Sequence, residues 1–192
     1  MSELTTYFRL GVGHILDARA IDHLLFLVAL AAGYRLAEWR DAVWVVTAFT
    51  VGHSITLALA ATDALVLPTD AIEFLIPLTI VATCVENLAA GHRHPLGPGR
   101  LYRPVLAAVF GLVHGAGFAN YLRGLFLDSL TVPLLGFNLG IEAGQLAVLV
   151  ASALALAVLD RLASHRMRVT AISTVVLVLA ARMAVERHPW QP

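Results

Sequence analysis

The stretch VPLLGFNLGIEAGQLAVLVASALALAVL, residues 132–159, decides the fold class. As a helix rising 1.5 Å per residue it covers ~40 Å, more than the ~30 Å hydrocarbon core of a bilayer. Its polar residues fall in one line: Asn138, Glu142 and Gln145 stand at i, i+4 and i+7. Gly136, Gly140 and Gly144 form a small-xxx-small ladder roughly 200° away around the helix. Such ladders let a second backbone approach closely. A polar stripe on one side and a close-packing face on the other describe a helix with neighbours on both sides.

The rest of the chain has the same character. Apolar residues make up 59% of the 192 and charged residues 14%, with a mean hydropathy of +0.80. A soluble domain would need about 25% charged residues to cover its core. Six segments read as membrane spans: Ala20–Tyr34, Asp41–Ala61, Asp70–Ala90, Tyr102–Leu122, Val132–Leu159 and Val169–Val185. Short polar connectors separate them, so the expected architecture is a single all-α domain over residues 1–192, a polytopic bundle of about six helices. The first span is short, and the preceding Leu4–Leu16 is half apolar. Either the two form one tilted helix, or the N-terminal piece is a separate re-entrant or interfacial helix; the second reading is preferred, because irregular backbone at membrane depth is tolerated where it lines a cavity.

Net charge is zero, with 13 basic and 13 acidic residues, which argues against nucleic acid as a partner. No pattern resembles a nucleotide-binding loop. Cys84 is the lone cysteine, so no internal disulfide forms. Arg35, Arg40, Arg93, Arg100, Arg103, Arg161, Arg166 and Arg168 fall on one side of the spans, and Arg9, Arg19, Arg123, Arg182 and Arg187 on the other. By the positive-inside rule this bias places both termini outside the cytoplasm, in a bacterial inner membrane.

Ionisable side chains inside a span cost roughly 2.5–3.5 kcal/mol at its centre and therefore require a partner or a purpose. Asp22 and His23 open the first span on its outer side. His53 lies ~12 Å from the outer end of the second, and His114 at a matching depth in the fourth. Glu73 lies three residues into the third span, and Asn138 and Glu142 lie in the outer part of the fifth. Any one of these residues alone is explained by a helix-to-helix hydrogen bond, and Glu73 by solvent. Together they gather imidazole and carboxylate in one half of the bilayer. That donor set suits zinc, nickel or cobalt, whereas thiolate and thioether select monovalent copper. Glu86 sits on the inner side, at a second site or at the rim, and Ser54 adjoins His53.

The strings GHILDARAIDHLLFLVAL, FTVGHSITLALA, FGLVHGAGFA and LLGFNLGIEAGQ, in this order, resemble the HupE/UreJ family of bacterial membrane proteins over about Gly11 to Val150. The resemblance implies a nickel or cobalt permease linked to hydrogenase or urease maturation. Carried over by motif, His14, Asp22 and His23 match its first element and His114 its second, with Glu142 at an expected acidic position. The spacing from His14 to Asp22 is longer than the His-x4-Asp-His of the nickel members, and HGAGF lacks a second histidine.

Three functions follow. The first is a permease for a divalent metal ion held by His14, Asp22, His23, His53, His114 and Glu142, with Glu86 on the exit path. The second is an intramembrane zinc hydrolase in which Asp22 or Glu142 takes a proton from bound water and Ser54 participates. The third is a non-catalytic assembly protein whose polar cluster holds helices together. Oligomerisation through the glycine ladders is open under each.

Overall fold

The computed structural model of the chain describes residues 2–17, 21–62, 64–65, 67–90, 101–123 and 131–189, the side chains of 119–123 excepted. The connector Gly91–Arg100, with Arg93 and Arg100, lies outside the described residues, as do Arg19 and most of the connector after Arg123. Among the described residues the architecture is all-helical. The α-helices are α1 (Glu3–Leu16), α2 (Ile21–Ala32), α3 (Trp39–Ala61), α4 (Thr69–Ala90), α5 (Tyr102–Arg123), α6 (Thr131–Leu159) and α7 (His165–Glu186), with a 3-10 turn at Leu36–Glu38. Among the described residues four segments are long and apolar enough to cross a membrane: Leu36–Ala61, Thr69–Ala90, Thr131–Leu159 and His165–Glu186. Helix α5 matches them in length but carries Arg103 and His114.

The N-terminal stretch and the first span form separate helices. Ser2 caps α1 by accepting from the Thr5 amide, and Asp17 leaves the helix in extended backbone. Helix α2 follows, 12 residues from Ile21 to Ala32 among the described residues. It packs against α4, α6 and α7, and its Phe26, Leu27 and Ala29–Ala32 are all buried. A helix that is apolar all round belongs in the centre of a bundle.

The glycine ladder of α6 receives α1. A Cβ at Gly140 would collide with the Phe8 carbonyl oxygen, and one at Gly144 would stand 3.0 Å from Ile15 Cβ. Gly11 of α1 meets the Phe137 carbonyl in return. Residue numbers rise together along both helices, so α1 lies parallel to the first half of α6. A second close pair joins α3 to α5, where Gly52 faces the Ala108 carbonyl and Gly111 the Phe49 carbonyl. These two run parallel as well. Helices α2 and α7 are antiparallel: Asp22 reaches Arg187 at one end, and the Tyr34 carbonyl accepts from Arg168 at the other. We call the end where α3 and α7 finish the upper end.

Arginines close the lower end. Arg103 donates to Glu86 at 2.9 Å and to Asn87 Oδ1 at 3.1 Å, while Asn87 Nδ2 donates to the Ala29 carbonyl at 2.7 Å. Glu86 is thus one half of an ion pair at the lower end.

Candidate metal centre

Each imidazole arrives from a different helix. His14 sits near the end of α1, His23 in the first turn of α2, His53 two turns before the end of α3, and His114 in the upper half of α5. The breaks and glycines described above bring them together. The break between α1 and α2 lets His14 and His23 face one another, with ring centroids 4.7 Å apart. Gly52, Gly111 and Gly115 let α3 and α5 touch at His53. His23 stands 5.2 Å from His114 and 6.1 Å from His53, and His14 lies 6.2 Å from His53.

The walls are aromatic. His114 lies against Phe26 and Phe49, which stack on each other at 4.7 Å. His14 lies against Phe118 and Phe137, stacked at 5.1 Å. Carbon surfaces of this kind exclude water and supply no hydrogen bonds. His53 is fully buried, and His114 is 1% exposed.

Hydrogen bonds assign the protons on two rings. His23 Nδ1 lies 3.0 Å from Asp22 Oδ1, and an ionised carboxylate only accepts, so Nδ1 carries the hydrogen. Asp22 also accepts from the His23 amide at 2.9 Å and from Arg187 at 3.3 Å. Thr79 Oγ1 donates its single proton to the Ile76 carbonyl at 2.7 Å, so at 2.9 Å it accepts from His114 Nε2. The lone pairs therefore fall on His23 Nε2 and His114 Nδ1. Among the described residues both atoms are buried without a hydrogen-bond partner, as are His14 Nε2 and both nitrogens of His53. Unpaired buried polar atoms are rare and cost roughly 1–3 kcal/mol each. Here they concentrate in one place.

With metal–nitrogen bonds of ~2.0–2.1 Å, imidazoles set tetrahedrally around one ion have ring centroids roughly 5 Å apart. The observed separations bracket that value. As the rings are oriented, no three His, Cys, Asp or Glu side chains among the described residues form a group able to hold a metal ion.

The remaining sequence candidates separate into distinct places. Glu142 Oε1 accepts from Thr47 at 2.6 Å, and Gln145 accepts from Thr50 at 2.6 Å, so the polar stripes of α6 and α3 face each other. Glu142 Oε2 and Asn138 Oδ1 are buried without partners among the described residues. Ser54 donates to the Thr50 carbonyl of its own helix at 2.7 Å. Glu73 is exposed near the start of α4. Two contributors escape a reading of the sequence. Thr79 orients His114, and Arg187, which there counts only toward membrane orientation, holds Asp22.

Residues 1–187 match the protein family described as HupE / UreJ protein. The chain belongs to the HupE/UreJ family. The match extends through α7, well beyond the Gly11–Val150 region whose motifs carry the resemblance, and so takes in Arg187. No curated protein and no solved structure matches this HupE/UreJ protein.

Proposed function

We propose that this HupE/UreJ protein is a permease for a divalent metal ion, nickel, cobalt or zinc, and that the ion passes through the group formed by His14, Asp22, His23, His53 and His114. The observation that carries the reading is the set of buried ring nitrogens, unpartnered among the described residues, contributed by four separate helices. Asp22 and Thr79 act on His23 and His114 as carboxylate and hydroxyl partners act on metal-bound histidines: they fix the tautomer and aim the lone pair. The neighbouring phenylalanines keep water from competing for those nitrogens.

Glu142 stands on the α3–α6 interface with one oxygen on Thr47 and the other without a partner among the described residues. In this reading it receives the ion after the imidazoles, and Asn138 and Gln145 share that layer. Several weak sites in series suit conduction, which requires an ion to leave as readily as it enters. Glu86, engaged by Arg103, forms the lower rim of the path. The family and the nitrogen and oxygen donors both support nickel or cobalt as cargo. The arginine bias supports a bacterial inner membrane with both termini on the periplasmic side.

Purified protein reconstituted into liposomes is expected to admit radioactive nickel, cobalt or zinc faster than protein-free vesicles. Absence of flux for all three removes the transport reading. In the hydrolase alternative Asp22 or Glu142 is the base; Ser54, a further candidate participant there, has its hydroxyl proton on the Thr50 carbonyl.

A further inference from the structure

A cavity of about 270 Å³ opens at the lower end between α2, α3 and α6, far along those helices from the imidazoles. Small side chains create it: Ala31, Ala42, Ala153 and Ala157 line its walls. Its outer margin is formed by Leu36, Trp39, Val150 and Leu154, all exposed. Water gains no partners against such walls, and apolar cavities stay dry unless an apolar molecule enters.

One edge of this cavity is different. Arg168 lines it and is 3% exposed, yet its Nη1 has no hydrogen-bond partner among the described residues. Its Nε donates to Asp160 at 2.6 Å and its Nη2 to the Tyr34 carbonyl at 3.1 Å and to His165 Nδ1, so the guanidinium is held in place with the two N–H groups of Nη1 left over. Arg35 lines the same edge. In the two flanking segments, 34–41 and 160–168, Arg35, Arg40, Arg161, Arg166 and Arg168 face Glu38, Asp41 and Asp160, five cations against three carboxylates. Trp39 beside the opening, with Arg40 over its ring at 5.3 Å, is the residue type that marks the headgroup level of a bilayer.

We infer that this cavity is a binding site for one anionic phospholipid, with an acyl chain lying between α3 and α6 and the phosphate meeting Arg168 Nη1 and Arg35. An apolar slot that ends at a buried cationic donor fits a molecule carrying a long chain and a negative head. Basic pockets between membrane helices select such lipids. The inference is independent of the metal reading.

The test uses the full-length protein, stripped of lipid in mild detergent and titrated with dioleoyl phosphatidylglycerol or dioleoyl phosphatidylcholine, with bound lipid counted by native mass spectrometry. One phosphatidylglycerol per chain is expected, with a preference of roughly tenfold over phosphatidylcholine, the scale of one charge-assisted contact. Ala153→Phe, which fills the slot, should abolish retention, and Arg35→Gln should reduce the preference while leaving one lipid bound. Ala157→Leu fills the same wall with a smaller group and replaces Ala153→Phe if that variant fails to fold. Equal retention of the two lipids by the unaltered protein overturns the inference. So does phosphatidylglycerol binding that survives both filling and charge removal. Displacement of the lipid by glycerol 3-phosphate at equal concentration overturns the acyl-chain assignment.

Discussion

Thr79 Oγ1 lies 2.9 Å from His114 Nε2 and, having given its own proton to the Ile76 carbonyl, can only accept from that ring. A threonine on α4 thereby decides which nitrogen of a histidine on α5 is free to bind. Thr79→Val removes the acceptor and keeps the shape. The expected outcome is a ~10–100-fold loss of metal affinity, the usual effect of deleting a partner of a metal-bound histidine. Thr79→Ser should restore most of it. Equilibrium dialysis of the purified variants against nickel measures both.

Asp22 does the same for His23 from within one turn of helix. Asp22→Asn presents an amide that can donate as well as accept, so the ring is no longer held in one tautomer. A drop of the same ~10–100-fold order is expected. Arg187→Gln, which leaves the Asp22–His23 contact in place, should cost much less. Equal losses in the two variants would argue that Arg187 and Asp22 act as one unit.

Binding should be visible as stability. A ligand at 100 times its dissociation constant that binds only the folded state contributes about 2.7 kcal/mol. Nickel, cobalt or zinc is therefore expected to raise the melting temperature in detergent, and His23→Ala or His114→Ala to abolish the rise. Because the nitrogens bind metal only when unprotonated, the rise should shrink as the pH is lowered. A melting temperature indifferent to all three ions would leave the assembly-protein reading.

Glu142→Gln separates entry from passage. The carboxylate is hydrogen-bonded to Thr47 and forms a layer with Gln145 and Thr50. Its replacement is expected to slow uptake into liposomes while changing equilibrium affinity far less than the ~10–100-fold predicted for Thr79→Val. An affinity loss equal to that of the histidine variants would place Glu142 among the primary ligands.

Two glycines of the α1–α6 pair give opposite signs. A Cβ at Gly140 would collide with the Phe8 carbonyl, so Gly140→Ala should destabilise by about 1–3 kcal/mol through overpacking. A methyl group added at Gly13 of α1 would meet nothing within 4 Å, so Gly13→Ala should stabilise by roughly 0.5–1 kcal/mol through helix propensity. Thermal melts in detergent compare the two.

Much of this arrangement is legible from residue spacing. Depth counting along separate spans puts His53 and His114 at one height and the Asp22–His23 pair in the same outer half, because a helix converts residue number into height at a fixed rise. The ladder at Gly136, Gly140 and Gly144 announces a closely packed neighbour. It does not say which one, since a small-residue face accepts any helix, and the occupant is α1. The partners of Glu142 and Gln145 are hidden for the same reason. Thr47 and Thr50 form a recognisable stripe, but pairing between stripes depends on rotation about the helix axis, which spacing leaves free. Thr79 is invisible because a threonine in an apolar helix ordinarily bonds back to its own carbonyls, as Thr79 itself does.

The separation of α1 from α2 gives the four imidazoles an unequal mounting. His14 rides on α1, which is seated on α6 and barely touches α2, whereas His53 and His114 belong to the tightly joined α3–α5 pair and His23 to the central helix. A slide of α1 and α6 by one residue's rise, about 1.5 Å, would withdraw one donor and leave three behind. In the proposed permease, the grip on an ion is thus loosened stepwise, by lowering its coordination number, without unpacking the core that holds the other three rings.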